Sequence, residues 1–113
     1  MQITLYHNPR CSKSRTALSI LEEHQVQIDT IDYMTSPPDP ETLKEILAKL
    51  GGPAKQLLRQ NEKEYKELSL AHADDEEIVA AIAANPNLLQ RPIIVSTAQA
   101  VIGRPPEKVL TVL

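Results

Sequence analysis

The sequence predicts an α/β domain, because short β-prone segments lie on both sides of a long helical block. At 113 residues the chain has the length of one domain, and its 42% hydrophobic and 24% charged residues are typical of a soluble globular protein. Nine prolines, together with a glycine pair, separate the elements from one another. The predicted order is β-α-β, a helical block over about residues 40–90, and then β-β-α.

The first three elements form a predicted βαβ unit. The segments are the apolar run Ile3–Tyr6, a helix from Cys11 to about His24, and the alternating run Val26–Tyr33. Asn8 and Ser12 are both candidate N-cap residues of the helix. Since a helix joins the two strands through short connections, we expect parallel strands with a right-handed crossover.

Proline and glycine also mark the boundaries of the later elements. The predicted helices of the middle block are Glu41–Leu50, Ala54 to about Arg59, and Ile78–Ala84 after the acidic run Asp74–Glu77, with one more turn at Leu88-Leu89. Residues 62–73 are polar and leave the element undecided. The predicted closing elements are a hairpin of Ile93–Ser96 with Ala100–Ile102, and a helix from Pro105 that turns Val109, Leu110, Val112 and Leu113 inward.

Composition excludes several classes of function. The net charge of -3 argues against non-specific nucleic-acid binding, which needs a basic surface. No apolar run approaches the ~20 residues that span a bilayer, and no secretory signal is recognisable, so we expect a cytoplasmic protein. The single cysteine excludes an internal disulfide and multi-cysteine zinc sites, and three scattered histidines give no metal-ligand spacing.

Cys11 is the strongest candidate for chemistry. It lies where a strand ends and a helix begins, and unpaired backbone N–H groups at a helix N-terminus stabilise a thiolate. Arg10, Lys13 and Arg15 make the local charge positive, and His7 lies four residues before the thiol. The alternative is a buried structural cysteine, which usually has apolar neighbours rather than these polar ones.

Spacing narrows the possible thiol chemistry. Residue 14 is serine, so the Cys-x-x-Cys pair of dithiol oxidoreductases is missing. Residue 17 is alanine, so the Cys-x-x-x-x-x-Arg pattern of tyrosine phosphatases is also missing. Because the chain has one cysteine, an external thiol must reduce any oxidised form of it.

Four motifs, in this order and spacing, resemble the glutaredoxin-linked arsenate reductase family. They are His7-Asn8-Pro9-Arg10-Cys11-Ser12-Lys13-Ser14-Arg15, Leu57-Leu58-Arg59 followed by Glu64-Tyr65-Lys66-Glu67-Leu68, Asn85-Pro86 leading to Arg91-Pro92-Ile93-Ile94-Val95, and Gly103-Arg104-Pro105. The resemblance runs from residue 3 to residue 113. It implies one thioredoxin-like domain over residues 1–113, with a mixed four-stranded sheet, a helical insertion at about 40–90 and a cis Arg91-Pro92 peptide that faces Cys11.

The resemblance also implies an activity, the reduction of arsenate to arsenite. Cys11 is then the expected nucleophile, with His7 favouring its thiolate. Glutathione and glutaredoxin are the expected external reductants and partners of a monomer that holds no cofactor or metal. Guanidinium groups bind tetrahedral oxyanions through paired hydrogen bonds. The candidate substrate-binding residues are Arg59, Arg91, Arg104, Ser12, Ser14 and Arg15.

Departures from the family pattern leave alternatives open. Arsenate reductases of this type usually have a small residue before the cysteine and Gly-Thr after it, whereas this chain has Arg10, Ser12 and Lys13. The run Asn-Pro-Arg-Cys-Ser-Lys-Ser is similar to a bacterial subgroup named after arsenate reductase. One alternative is a glutathione-linked thiol reductase with another substrate. Another is a non-catalytic regulator of the same superfamily that binds RNA polymerase.

Overall fold

In the computed structural model, which describes residues 2–113, the chain divides into two units. The first unit comprises the residues up to Ser36 together with Arg91–Leu113, and the second comprises Pro37–Gln90. The inference of a single domain with a helical insertion stays a prediction. Across the described residues, no helix is both long and apolar enough to cross a membrane.

The first unit is built on a mixed four-stranded sheet. Its strands are β1 (Gln2–His7), β2 (Gln27–Asp32), β3 (Ile93–Val95) and β4 (Ala100–Ile102), in the spatial order β2-β1-β3-β4. β1 and β2 are parallel, while β3 runs antiparallel to both β1 and β4. The predicted parallel pair and the predicted hairpin are therefore confirmed. The carboxyl ends of β1 and β2 meet at one edge of the sheet, where His7 pairs with Asp32.

A helix and a C-terminal 3₁₀ helix bury the core of this unit. Helix α1 spans Ser12–Glu23, and the 3₁₀ helix spans Pro106–Val112. Apolar side chains of both pack on those of β1 and β3, and Val26 and Ile28 pack at the margin of this core. The buried cluster comprises Ile3, Leu5, Ala17, Leu21, Ile94, Val109 and Val112.

The expectation that Leu110 and Leu113 point inward is wrong. Their side chains are 40% and 38% exposed, whereas Val109 and Val112 are buried. A 3₁₀ helix has about three residues per turn, so positions three apart share a face. The last segment is a 3₁₀ helix rather than an α-helix, and its inward face therefore takes only the two valines.

The second unit is helical. Its elements are α2 (Pro40–Leu50), a 3₁₀ helix (Ala54–Leu57), α3 (Lys63–Glu67), a 3₁₀ helix (Leu70–His72), α4 (Asp75–Ala84) and a 3₁₀ helix (Pro86–Leu88). Asp39 caps α2 by accepting from the Thr42 amide, and Asp74 and Glu77 form a capping box on α4. The predicted helix from Ala54 to Arg59 is shorter than expected, since it ends at Leu57.

Gly103 leaves room for a close approach between β4 and the start of β3. A Cβ atom added there would lie 2.8 Å from Pro92 Cγ and 3.1 Å from Val109 Cγ1. We expect Gly103→Ala to destabilise the fold by about 1–3 kcal/mol, the usual cost of overpacking a core. Urea unfolding of the variant against the parent measures this difference. An unchanged free energy of unfolding would contradict the contact.

Candidate active site

Cys11 lies at the junction between the loop after β1 and helix α1. It is the N-cap residue, with extended backbone angles (φ −94, ψ 123), and its amide donates to Asn8 O at 2.9 Å. The expectation that Asn8 or Ser12 caps the helix is wrong. Asn8 instead closes the preceding turn, because its Oδ1 accepts from the Arg10 amide at 3.0 Å. The thiol therefore occupies the position where a helix presents its unpaired N–H groups.

The surroundings of Cys11 favour its thiolate. Burial of the half-exposed side chain opposes ionisation, but the Ser14 amide, the Arg91 side chain and the Lys13 amide donate hydrogen bonds to the sulfur, and the net effect lowers the pKa of Cys11. The positive charge of Arg91 adds to this effect. Donors directed at a thiolate stabilise its charged form. These hydrogen bonds and the charge of Arg91 support the expectation, made from the sequence, that the thiol is activated.

The lowered pKa of Cys11 can be measured from the pH dependence of its alkylation rate. We expect the midpoint of Cys11 alkylation by iodoacetamide to lie below about 8.5, the ordinary pKa of a cysteine thiol. The sign follows because only the thiolate reacts, so a lower pKa shifts the reactive fraction toward neutral pH. Rates measured between pH 5 and 10 against the urea-unfolded protein give the comparison. A midpoint equal to that of the unfolded chain would refute the activation.

His7 reaches the thiol through Ser14 in this geometry. His7 Nδ1 and Ser14 Oγ share a buried hydrogen bond of 2.7 Å, and the same hydroxyl accepts from the Asn8 amide at 3.1 Å. Burial lowers the pKa of His7 despite the opposing charge of Asp32, and Arg15 lowers it further. A neutral imidazole holds Ser14, whose amide in turn donates to Cys11.

The other candidates on this segment have different surroundings. Ser14 is fully buried and its hydroxyl is engaged within the protein, whereas Ser12 is exposed at the first position of α1. Arg15 is exposed, and its Nη1 donates to Pro9 O at 2.8 Å. Its guanidinium thereby fastens the loop before Cys11 to the first turn of the helix. Substrate binding by these three residues stays a prediction.

Two of the three candidate arginines contact each other, and one of these two, Arg91, contacts the thiol. Arg91 precedes β3, its peptide to Pro92 is cis as predicted, and its side chain donates to Cys11. Arg104 Nε donates to Arg91 O at 3.0 Å. The peptide between Arg104 and Pro105 is also cis, which the sequence did not indicate. Arg91 Nε is buried, and no acceptor among residues 2–113 pairs with it.

Arg59 belongs to the second unit, in which a polar network holds it. Its Nη1 forms an ion pair of 3.3 Å with Glu62 Oε2, and both side chains are largely buried. Asn87 Nδ2 donates to Glu62 Oε1 at 3.0 Å and to Glu64 Oε1 at 3.1 Å. Glu62 and Asn87 were not among the predicted site residues. The Arg-x-x-Glu spacing was the one available signal for the ion pair.

Metal-ligating side chains are scattered within the part of the chain that the structure describes. No three histidine, cysteine, aspartate or glutamate residues in this range come together as a metal site would require.

Known proteins are similar to this one along nearly its whole length. The model of the ArsC family matches residues 6–112. An arsenate reductase of Neisseria meningitidis serogroup A is 44% identical over 115 residues, covering 99% of this chain and 98% of that protein. The uncharacterized protein YfgD of Escherichia coli K12 is 45% identical, covering 99% of this chain and 97% of that protein.

A solved structure gives the same result for the fold. The structure of an arsenate reductase from Vibrio cholerae superposes with a TM-score of 0.95 at 40% identity, and the match covers 100% of this chain and 98% of that one. The predicted thioredoxin-like α/β fold is therefore confirmed.

Proposed function

The chain belongs to the ArsC family, and on that premise we propose that it reduces arsenate to arsenite with Cys11 as the nucleophile. The observation that carries the proposal is the thiol itself, which receives hydrogen bonds from two backbone amides and the Arg91 side chain. The thiolate is the reactive form of cysteine. The match to arsenate reductases over the length of the chain supports arsenate as the substrate.

The first step forms a bond between Cys11 and arsenic. The thiolate sulfur attacks As(V) and one arsenate oxygen leaves as water after protonation. A thiolate and an arsenate anion repel each other, so the approach needs positive charge at the site. Arg91 supplies a guanidinium beside the sulfur and a buried Nε without an acceptor among residues 2–113. Such a donor fits an oxyanion oxygen.

The second step moves two electrons to arsenic. We propose that a glutathione thiolate bonds to the Cys11 sulfur, and that the electron pair of the breaking S–As bond stays on arsenic. Arsenite leaves as As(III), and Cys11 remains as a mixed disulfide with glutathione. Since the chain has no second cysteine, a further glutathione, delivered through glutaredoxin, must release the thiol. Overall, arsenate and two thiols give arsenite, a disulfide and water.

Within this proposal the protein acts as a cytoplasmic monomer, and its Asn-Pro-Arg-Cys-Ser-Lys-Ser run assigns it to the arsenate-reductase-like bacterial subgroup. Arg104 acts beside Arg91 as a second oxyanion-binding group, which its hydrogen bond to the Arg91 carbonyl supports. Arg59 is the third, and its assignment rests on the sequence motif.

Replacement of Arg59 tests that assignment. We expect Arg59→Ala to raise the KM for arsenate about tenfold, which is the effect of losing one charge-assisted hydrogen-bonding group. Glu62→Gln should raise KM less, because it weakens the ion pair that orients the guanidinium. Glu64→Gln is the matched control, because the carboxylates of Glu64 and Glu62 accept hydrogen bonds from the same Asn87 side-chain amide. An unchanged KM in Arg59→Ala would remove Arg59 from the site.

A coupled assay tests the function as a whole. NADPH oxidation by glutathione reductase is followed with glutathione, glutaredoxin, arsenate and this protein, and each component is omitted in turn. We expect turnover only in the complete mixture. Turnover with a glutathionylated peptide but none with arsenate would overturn the arsenate assignment and favour the glutathione-linked thiol reductase.

A further inference from the structure

A cleft of about 330 Å³ opens beside the loop that leads to Cys11. Asn8, Pro9 and Arg10 line one side, and residues at and after the end of β2 line the other. Both sides meet here because β1 and β2 are parallel and end at the same edge of the sheet, with His7 opposite Asp32. The steps proposed for arsenate leave this cleft unused.

Hydrogen bonds donated by main-chain amides hold both walls of the cleft in place. On one side, Asn8 Oδ1 accepts from the Arg10 amide at 3.0 Å. On the other, Asp32 Oδ1 accepts from the Met34 amide at 3.1 Å, and Asp32 O accepts from the Thr35 amide at 3.2 Å. The cleft is therefore a formed feature of the loop pair, and its volume falls in the range of small-ligand pockets, about 300–1,000 Å³.

The lining combines opposite charges with one apolar contact. Arg10 is exposed and presents a guanidinium, Asp32 is half-buried and presents a carboxylate, and Met34 is 45% exposed. A guanidinium favours a carboxylate and a carboxylate favours an ammonium group. An occupant that carries both groups, in other words a zwitterion, matches this lining better than a simple anion does.

We propose that the cleft binds the small zwitterionic thiol peptide that reduces Cys11, with a ligand carboxylate on Arg10 and the ligand ammonium group on Asp32. The inference deepens the proposed function, since it assigns the glutathione-class reductant a place of its own beside the thiol. Cys11 directly follows Arg10 in the chain but does not itself line the cleft, so a peptide held here must extend its sulfur past Arg10 to reach the thiol. The arginine before the cysteine, which departs from the family pattern, thereby acquires a role.

Thiol–disulfide exchange tests the cleft without arsenate. The Cys11 thiolate attacks one sulfur of glutathione disulfide, an S–S bond forms on Cys11, and one glutathione thiolate leaves. The rate constant is measured by mass spectrometry and divided by that for bis(2-hydroxyethyl) disulfide, which undergoes the same exchange without charged groups. This ratio cancels any change in the reactivity of Cys11 itself.

Two variants test the proposal by the direction in which each changes the ratio of rate constants. We expect Arg10→Ala to lower the ratio about tenfold, and Asp32→Asn to lower it several-fold as well. General attraction of a negatively charged disulfide predicts the opposite for Asp32→Asn, because loss of a negative charge would raise the ratio. Lys108→Ala, an exposed change of the same charge in the same unit, serves as the control and should leave the ratio unchanged.

A ratio that rises in Asp32→Asn, or that stays constant in Arg10→Ala, would overturn the proposal that the cleft binds the thiol peptide. A fall in Lys108→Ala equal to that in Arg10→Ala would also overturn it, since net charge would then explain the effect. Lowered ratios in both cleft variants would support it even if the coupled assay showed no turnover with arsenate. Failure of the proposed function is thereby separable from failure of this inference.

Discussion

Cys11→Ser is expected to lower arsenate-dependent turnover by about a thousandfold or more, which is the scale seen when an enzyme loses its nucleophile. A serine hydroxyl stays protonated near neutral pH, because a few hydrogen-bond donors cannot lower the pKa of an alcohol far enough. The donors around residue 11 would therefore remain without a thiolate to stabilise. Serine also cannot form the mixed disulfide from which glutathione regenerates the enzyme.

The coupled NADPH assay measures this loss, with the unreplaced protein in parallel. Thermal unfolding of the variant controls for folding, and we expect a similar Tm because residue 11 makes its structural hydrogen bonds through the backbone. Arsenate binding, measured by titration calorimetry, should persist because the arginines are intact. Turnover within about tenfold of the parent would contradict the role of Cys11 as nucleophile.

Arg91→Lys is expected to lower kcat/KM for arsenate about 10- to 100-fold although it keeps the positive charge. A guanidinium offers a planar set of donors that can serve the sulfur and an oxyanion oxygen together, whereas an ammonium group is a compact point charge. The variant should also raise the pKa of Cys11, because the Arg91 side chain is one of the donors that lower it. Both effects follow from one contact.

Arg104→Lys provides the comparison. Arg104 touches the Arg91 carbonyl, and it is absent from the groups that shift the pKa of Cys11. We therefore expect its replacement to weaken arsenate binding and to leave the alkylation midpoint unchanged, whereas Arg91→Lys changes both quantities. Steady-state kinetics and the pH dependence of alkylation separate the two variants. An unchanged kcat/KM in Arg91→Lys would refute the oxyanion role.

Local patterns in the sequence were sufficient for most of the fold. The helix predicted over Glu41–Leu50 follows from its apolar face and the glycine at its end, where Gly51 adopts φ 77, and the structure starts it one residue earlier, at Pro40. The start of α4 follows from the acidic run Asp74–Glu77, whose charges suit a helix N-terminus. The order of elements also identified Cys11 as a helix-start thiol. These features depend on neighbours within a few residues, so a single sequence carries them.

The sequence was less informative where two conformations differ by little energy. The C-terminal segment forms a 3₁₀ helix, which turned Leu110 and Leu113 to solvent. Their apolar character fits either helix type, and packing of Val109 and Val112 against the core decided between them. The position of the α1 N-cap at Cys11 rather than Asn8 or Ser12 depended likewise on the turn that Asn8 closes.

The sequence by itself determined that the protein has one thiol, that this thiol lies at a helix start, and that an external thiol must reduce it. Only the tertiary structure decided which groups surround that thiol. It joined His7 to Ser14, brought the Arg91 side chain to Cys11 from about eighty residues away, and placed Asp32 across a cleft from Arg10. The placements of Asp32 and Arg91 come from the pairing of β1 with β2 and β3, whereas His7 and Ser14 lie only seven residues apart in the chain. Strand pairing joins residues distant in the chain, and the local patterns that predicted the strands do not specify which side chains meet where those strands end.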